Sequence, residues 1–133
     1  MFCKIVAGEI PSSKVFEDDY CLAFLDIGPL APGHLLVIPK THADRLWDLA
    51  GQTASAIGAQ LPRLARAVMA ATGAAGCNIL QNNGQVSGQV VEHVHFHIIP
   101  RRAEDGLGYR WPAGSYGEGE MGSMQQKIQD VLQ

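Results

Sequence analysis

The sequence is poor in several features that define specialised classes of protein. It has three cysteines, Cys3, Cys21 and Cys77, which are too few and too widely spaced for a disulfide framework. Their odd number, together with an N-terminal segment that lacks the apolar core of a signal peptide, predicts a reducing, cytoplasmic location. No apolar run approaches the ~20 residues that a membrane-spanning helix needs. We therefore expect a cytoplasmic protein without a membrane partner.

Positive charge is also scarce. Ten lysines and arginines stand against thirteen aspartates and glutamates, which gives a formal net charge of −3. The densest basic feature is the pair Arg101-Arg102, whereas a general nucleic-acid binder needs a basic stripe or patch. The composition predicts an ordinary solvated surface and no nucleic-acid partner.

The composition is sufficient for one globular domain. Of the 133 residues, 47% are hydrophobic and 17% are charged, so the chain can build a core. We expect a single domain over 1–133, with a body at about 2–112 and a C-terminal arm over 113–133. The glycine-rich stretch from 101 to 122 is typical of an irregular surface arm. Ile128, Val131 and Leu132 predict a short final helix packed against the body.

The first third of the chain reads as a helical turn and three strands. Residues 2–7 predict the turn, which Gly8 ends. Three short apolar runs follow, at 14–17, 20–26 and 34–38. Asp18-Asp19 is turn chemistry, so the first two runs are typical of a hairpin.

The middle of the chain predicts one long helix. Thr41 to Asp44 resembles a capping box and predicts the start of this helix. Pro62 lies inside the pattern and predicts a kink or a division into two helices, and Gly73 predicts the end. One face of the helix has apolar side chains at three- and four-residue spacing: Ile57, Leu61, Leu64 and Val68.

Two further strands are predicted after the helix. They cover 77–82 and 90–99, and we expect Pro100 to stop the second one. Strands on both sides of one main helix indicate an α+β domain with an antiparallel sheet.

The second of these strands contains three of the five histidines. Because side chains alternate along a strand, His93, His95 and His97 should share one face. The other face, with Val94, Phe96 and Ile98, is apolar and predicts the core side. One side of this strand is therefore expected to be a row of imidazoles.

Three interpretations of this row are open. A single histidine beside a core is most often structural, but three at strict alternation are a much rarer accident. A metal ion cannot easily bind all three, because residues four apart on a strand are ~13 Å apart and zinc lies ~2 Å from each nitrogen. Two of them with a ligand from elsewhere can bind one. The interpretation we favour is chemistry at phosphorus, where a neutral imidazole attacks and its neighbours stabilise phosphate oxygens.

Two amides lie just before the histidines. Asn82 and Gln89 flank a glycine-containing loop that leads into the predicted strand. Amide side chains and loop N–H groups are suitable donors to phosphate, although each amide alone is as compatible with a turn. Together with the histidines they predict one anion pocket.

These residues resemble the histidine triad (HIT) family of nucleotide hydrolases. The segment from His93 to Ile99 matches the signature in which three histidines alternate with apolar residues. The resemblance runs from about residue 2 to residue 112. It includes six further motifs, at 2–5, 9–11, 24–27, 33–40, 82–84 and 88–91.

The resemblance implies a fold and a set of site residues. The family has a five-stranded antiparallel sheet with one main helix and a short N-terminal helix, and it forms dimers. By matching, His95 is the nucleophile that becomes nucleotidylated, His97 contacts phosphate, His93 supports the nucleophile and His34 borders the pocket. The matched nucleotide-binding residues are Phe2, Ile5, Phe24 and Ile27 around the base, Asp26 at the ribose hydroxyls, and Asn82, Gln89 and Val90 near the phosphate.

The chain departs from the family pattern at three places. Val90 occupies a position where some branches have a hydroxyl, so the leaving group is not specified. Several bacterial members bind zinc through Cys-x-x-Cys and two histidines, and here only Cys3, His42 and His93 match. We therefore expect no complete zinc site. Trp111-Pro112 is similar to a dipeptide of the phosphoramidase branch, but it lies further from the triad.

The resemblance thus implies a homodimeric purine-nucleotide hydrolase. The expected reaction is hydrolysis of nucleoside phosphoramidates at the α-phosphorus through a nucleotidyl-histidine. A dinucleoside polyphosphate hydrolase is the alternative enzyme, and a nucleotide-binding sensor or scaffold is the alternative of another class. No cofactor is expected to be required, and neither zinc nor magnesium is favoured.

Overall fold

The structure is a computed structural model that describes residues 1–108 and 111–132. Its helices are α1 (Phe2–Val6), α2 (Gly51–Thr72) and α3 (Glu120–Leu132). Its strands are β1 (Lys14–Glu17), β2 (Cys21–Leu25), β3 (Leu35–Pro39), β4 (Gly76–Gln81) and β5 (Phe96–Arg101). Two single-turn 3-10 helices cover Leu46–Asp48 and Gln85–Ser87. No helix in these two ranges is long and apolar enough to cross a membrane.

The five strands form one antiparallel sheet in the order β1-β2-β3-β5-β4. The predicted hairpin of β1 and β2 is confirmed. Its turn is held by Asp18, whose Oδ1 accepts the backbone N–H groups of Tyr20 and Cys21, both at 2.8 Å. The α+β class and the five-stranded antiparallel sheet are therefore confirmed.

The sheet is covered on both faces, and each face has its own apolar cluster. Cys21 and Ala23 of β2 pack toward α2, while Leu22 and Phe24 of the same strand pack toward α1. In β3, Leu35 and Val37 likewise pack on the α2 side, and Leu36 and Ile38 pack on the α1 side. The α2 side also contains the helix residues Ile57, Leu64 and Val68, as the periodicity predicted. The α1 side is the one on which His97 lies, because His97 pairs with Leu36 in the sheet register.

Helix α2 differs from the prediction at its start and at its proline. It begins at Gly51 and not at the expected capping box, because residues 41–44 serve a loop contact in which the Ala43 carbonyl accepts the Val94 N–H at 2.8 Å. The helix is not divided at Pro62. Pro62 and Gly58, whose carbonyl loses its N–H partner, are both exposed, so water can satisfy that carbonyl.

The strand predicted over 90–99 is shorter and shifted. Regular pairing begins only at Phe96, because the preceding segment bonds elsewhere: the Val94 N–H to Ala43 and the His93 N–H to the Val91 carbonyl. Pro100 does not stop the strand. It lies beyond Ile98, the last residue paired with β3, so its missing N–H breaks no hydrogen bond with that neighbour.

The C-terminal helix does not pack as predicted. Helix α3 covers thirteen residues and contains no buried residue. Ile128, Val131 and Leu132 are 55%, 84% and 79% exposed, so the expected contact with the body is wrong. The arm before α3 has no regular element in its described part, as expected.

Candidate active site

A cavity of about 310 Å³ opens on the α1 side of the sheet. Eight of the predicted site residues line it: Phe2, Ile5, Phe24, Asp26, Ile27, Val90, His95 and His97. Phe2 is buried between Phe24 and His95, with ring centroids 5.8 Å and 5.2 Å away. Ile27 and Val90 are almost fully exposed and form the rim. The cavity therefore combines an apolar, aromatic slot with two imidazoles.

His95 has a defined proton position. Its Nδ1 lies 2.7 Å from the carbonyl oxygen of His93, and a carbonyl can only accept a hydrogen bond. The neutral ring therefore carries its proton on Nδ1 and has a lone pair on Nε2. The group that fixes the His95 tautomer is therefore a backbone carbonyl.

His97 lies beside His95, with ring centroids 5.0 Å apart, and also beside His34. The His34 Nε2 and the His97 Nδ1 are separated by 2.9 Å. Burial lowers the pKa of His97 to about 4 and also lowers the pKa of His34. Both rings are neutral near pH 7.

The carboxylate of Asp26 lies near the buried histidines. Asp26 Oδ2 is 3.7 Å from His34 Nε2. Asp26 is distant from the triad in the sequence, and antiparallel pairing of β2, β3 and β5 brings it to the cavity. Its other oxygen, Oδ1, accepts the Gly28 N–H at 2.9 Å, so Asp26 also stabilises the turn that follows β2.

His93 does not continue the row of imidazoles. It lies with Cys3 and His42, and the three ligand atoms are 3.2 to 3.6 Å apart. His93 Nε2 contacts the Pro39 carbonyl at 3.0 Å, and His42 Nε2 contacts Asp44 Oδ1 at 2.6 Å. The Nε2 atoms of both rings are engaged by these acceptors, and the Nδ1 atoms face each other and the Cys3 thiol. The triad is thus split between two clusters.

The cluster of Cys3, His42 and His93 has part of what a zinc site needs. Each histidine has an outer hydrogen bond of the kind that orients metal ligands. A closed structural zinc site takes four protein ligands, however, and the described residues group only these three. Val6, one helical turn after Cys3, has no ligand atom. The donor set therefore does not complete a structural zinc site.

The two amides have different surroundings. Gln89 is buried, its Oε1 accepts the Gly84 N–H at 2.8 Å, and its Nε2 donates to the carbonyls of Asp44 and Val91. Both of its N–H groups are therefore engaged by backbone carbonyls. Asn82 is outside the cavity lining, directly behind the lining residue Gly88. Their predicted roles at the phosphate stay predictions.

Sequence reasoning missed part of the site. Ser12 lines the cavity, and its Oγ is buried without a hydrogen-bond partner in the described part of the chain. The backbone N–H of Leu30 donates to His34 Nδ1 at 3.1 Å. A lone serine and a main-chain group have no sequence signal, so neither could be found before the fold.

A second, more open depression of about 1040 Å³ lies between β4 and the arm. Its lining contains Trp111, which is 78% exposed. Arg101 in this depression is bonded to Asp105 and Asn78. None of its described lining residues is a histidine, whereas His95 and His97 line the cavity of about 310 Å³.

Comparison with known proteins agrees with this geometry. The HIT domain family profile matches residues 7–104. An adenosine 5'-monophosphoramidase of Schizosaccharomyces pombe is 44% identical over 99% of this chain and 97% of its own. Protein hit of Bacillus subtilis is 47% identical over 84% of this chain and 77% of its own. A crystal structure of a HIT family member from Bacillus subtilis superposes with a TM-score of 0.93, with 41% identity, over 98% of this chain and 94% of the other.

Proposed function

Since this chain belongs to the HIT domain family, we propose that it hydrolyses purine nucleoside phosphoramidates of the adenosine 5'-monophosphoramidate type at the α-phosphorus. The single observation that carries the proposal is the state of His95. Its Nδ1 proton is held by the His93 carbonyl, so the Nε2 lone pair is available in a cavity of nucleotide size. A neutral imidazole with a free Nε2 is a competent nucleophile near pH 7.

The reaction proceeds in two displacements at phosphorus. The His95 Nε2 forms a bond to the α-phosphorus while the bond to the amine nitrogen breaks, and that nitrogen takes a proton from solvent as it leaves. Water then attacks the same phosphorus and gives up a proton to solvent, while the bond between phosphorus and Nε2 breaks, which releases the mononucleotide and frees His95. His97, 5.0 Å away between ring centroids, stabilises the phosphate oxygens during both steps.

The rest of the cavity fits a nucleoside. The apolar and aromatic surfaces of Phe2, Ile5 and Phe24 fit a purine, with Ile27 at the rim. The Asp26 carboxylate, in the same lining, is a suitable acceptor for ribose hydroxyls. These groups bind and orient the substrate against His95.

No step is assigned to a metal ion. A phosphoramidate does not need one, because the amine is a good leaving group once it is protonated. The cluster around Cys3 is connected to His95 through His93, whose backbone carbonyl accepts the His95 Nδ1 proton. We assign this cluster no chemistry.

We also propose that the protein works as a cytoplasmic homodimer. Strands β1 and β4 are the two edges of the sheet, and helix α3 exposes an apolar stripe of Met121, Met124, Ile128 and Val131. A second copy of the chain that pairs with an edge removes its unpaired N–H and C=O groups from water.

The test is turnover and adduct formation by the wild-type protein and two variants. We expect hydrolysis of an adenosine phosphoramidate by wild type, no turnover but retained nucleotide binding by His95→Ala, and slowed turnover by His97→Ala. Rapid quenching and mass spectrometry should find the nucleotidyl group on the peptide that contains His95. An adduct on His93 or His97, or an active His95→Ala enzyme, would overturn the mechanism.

The substrate class is tested with the same preparation. We expect kcat/KM to be higher for the adenosine phosphoramidate than for diadenosine polyphosphates. The reverse order would assign the protein to dinucleoside polyphosphate hydrolysis. Nucleotide binding without turnover of either substrate would support a sensor or scaffold and would contradict the proposal of an enzyme.

A further inference from the structure

Three groups are connected by hydrogen bonds between the loop after β2 and the catalytic cavity: the Leu30 backbone N–H, His34 and His97. The Leu30 backbone N–H donates to His34 Nδ1 at 3.1 Å, and His34 Nε2 lies 2.9 Å from His97 Nδ1. His34 is 2% exposed, so water does not compete for its nitrogens. The donor-to-acceptor direction of these hydrogen bonds is fixed, because the Leu30 backbone N–H can only donate.

The first contact fixes the proton on His34. Since Nδ1 accepts the Leu30 N–H, the neutral ring must carry its proton on Nε2. The nearest acceptor for that proton is His97 Nδ1 at 2.9 Å. Asp26 Oδ2, at 3.7 Å, is beyond hydrogen-bond distance.

The second contact fixes the proton on His97. Its Nδ1 accepts from His34, so its own proton is on Nε2. The Nε2 of His97 has no hydrogen-bond partner among the described residues, and His97 lines the cavity. His97 therefore presents an N–H donor to a bound ligand.

We propose that His34 is a positioning residue that holds His97 in the Nε2–H tautomer. We call the series of hydrogen bonds from the Leu30 backbone N–H through His34 to His97 the relay, and the Leu30 N–H is its fixed end. The inference rests on the proposed function for its catalytic meaning. His95 and His97 then have opposite tautomers, with a lone pair on one Nε2 and a proton on the other. His95 thus presents a nucleophile for the phosphorus, and the neighbouring His97 presents a hydrogen-bond donor for the phosphate oxygens.

The relay also connects nucleoside binding to the chemistry. Leu30 lies in the loop between Asp26 and His34, and both ends of that loop are joined by the Asp26 N–H to the His34 carbonyl at 3.0 Å. The Asp26 side chain lines the cavity beside Ile27. One loop therefore holds the predicted ribose acceptor and sets the proton on His97.

The experiment reads the tautomers directly by two-bond 1H–15N correlation NMR of 15N-histidine-labelled protein near pH 7. In wild type we expect His95 with its proton on Nδ1, and His34 and His97 with theirs on Nε2. His34→Leu removes the donor, so His97 should become a mixture of tautomers while His95 is unchanged. His34→Gln can accept from Leu30 and donate to His97, so it should restore the Nε2–H form.

Activity follows as a second readout. We expect kcat to fall roughly tenfold to a hundredfold in His34→Leu, part of the 10²–10⁴ that a positioned acid or donor supplies, and to recover in His34→Gln. A wild-type His97 protonated on Nδ1, or a His97 tautomer unchanged in His34→Leu, would overturn the inference. The NMR readout needs no substrate, so it stands apart from any failure of the proposed hydrolase activity.

Discussion

The histidines of this protein differ in the backbone group that forms a hydrogen bond with each ring. His95 donates from Nδ1 to a backbone carbonyl, His34 accepts a backbone N–H on the same atom, and His93 donates from Nε2 to the Pro39 carbonyl. Main-chain groups do not change protonation near pH 7, so each of them fixes a ring permanently. The side chains are identical, and the backbone partner decides which nitrogen is available for chemistry.

Replacing Asp26 by Ala tests the ribose assignment at this scale. We expect weaker nucleotide binding by about 1.5–3 kcal/mol, the usual range for hydrogen bonds to a charged group, measured by calorimetry. The same carboxylate accepts the Gly28 N–H, so Asp26→Asn serves as the control that keeps a turn acceptor without the charge. A loss of thermal stability with unchanged affinity would show that Asp26 only stabilises the turn.

Acid should destabilise the fold before its carboxylates titrate. Burial lowers the pKa of His97 from 6.5 to about 4, and that of His34 in the same direction, so between these values the unfolded chain binds more protons. The contribution is complete above pH 6.5 and is lost as the pH falls. From pH 7 to pH 5 we expect a loss of about 1 kcal/mol after solvent screening of the partly exposed His97 ring, or roughly 3–5 °C in Tm.

Scanning calorimetry across this interval measures the effect. His97→Asn is the matched variant, since it keeps a polar side chain that does not titrate, and its Tm should fall less over the same interval. A wild-type Tm that is constant or rises between pH 7 and pH 5 would contradict the assignment of buried neutral histidines.

At the scale of elements, α1 serves two sites with five residues. Phe2 and Ile5 are buried against the nucleotide cavity, while Cys3 is exposed and contacts His42 and His93. The 3.6-residue period of the helix separates these two sets. Val6 follows Cys3 by three residues and therefore lies on the same side of the helix as Cys3.

This placement makes the absence of a fourth zinc ligand testable. We expect wild-type protein purified without chelator to contain no stoichiometric zinc by plasma mass spectrometry. Val6→Cys adds a second thiolate next to Cys3 and should retain about one zinc per chain, because it completes a Cys₂His₂ set. Val6→Ala controls for the lost packing. One-to-one zinc in the wild-type protein would show that three protein ligands suffice.

At the scale of the whole molecule, the chain leaves apolar surface and two strand edges in contact with water. Light scattering after size exclusion should give a mass near twice 14.3 kDa at micromolar concentration, as proposed for the dimer. The edges at β1 and β4 and the exposed face of α3 are the physical reason. A monomer mass at every concentration of a series that begins at micromolar and increases would contradict the proposal.

The sequence by itself determined most of the elements and the residue types of the site, but not the start of α2 or the bounds of β5. Short apolar runs with Asp18-Asp19 between two of them are local signals, and they predicted β1 to β3. The helix face of Ile57, Leu64 and Val68 was equally readable, because a period of 3.6 residues is a property of the chain alone. The alternating histidines likewise favoured phosphorus chemistry, because a neutral imidazole is a good nucleophile near pH 7 and its neighbours can stabilise phosphate oxygens.

The tertiary structure alone decided how these residues meet. Contact with Ala43 turns the chain before β5, and this separates His93 from His95 and His97. The pairing of β3 with β5 brings His34 to His97, sixty-three positions apart in sequence. The proton on each ring depends on carbonyls and N–H groups from other segments. Such long-range backbone contacts leave no periodic or compositional trace, so the split triad and the relay through His34 became visible only in the fold.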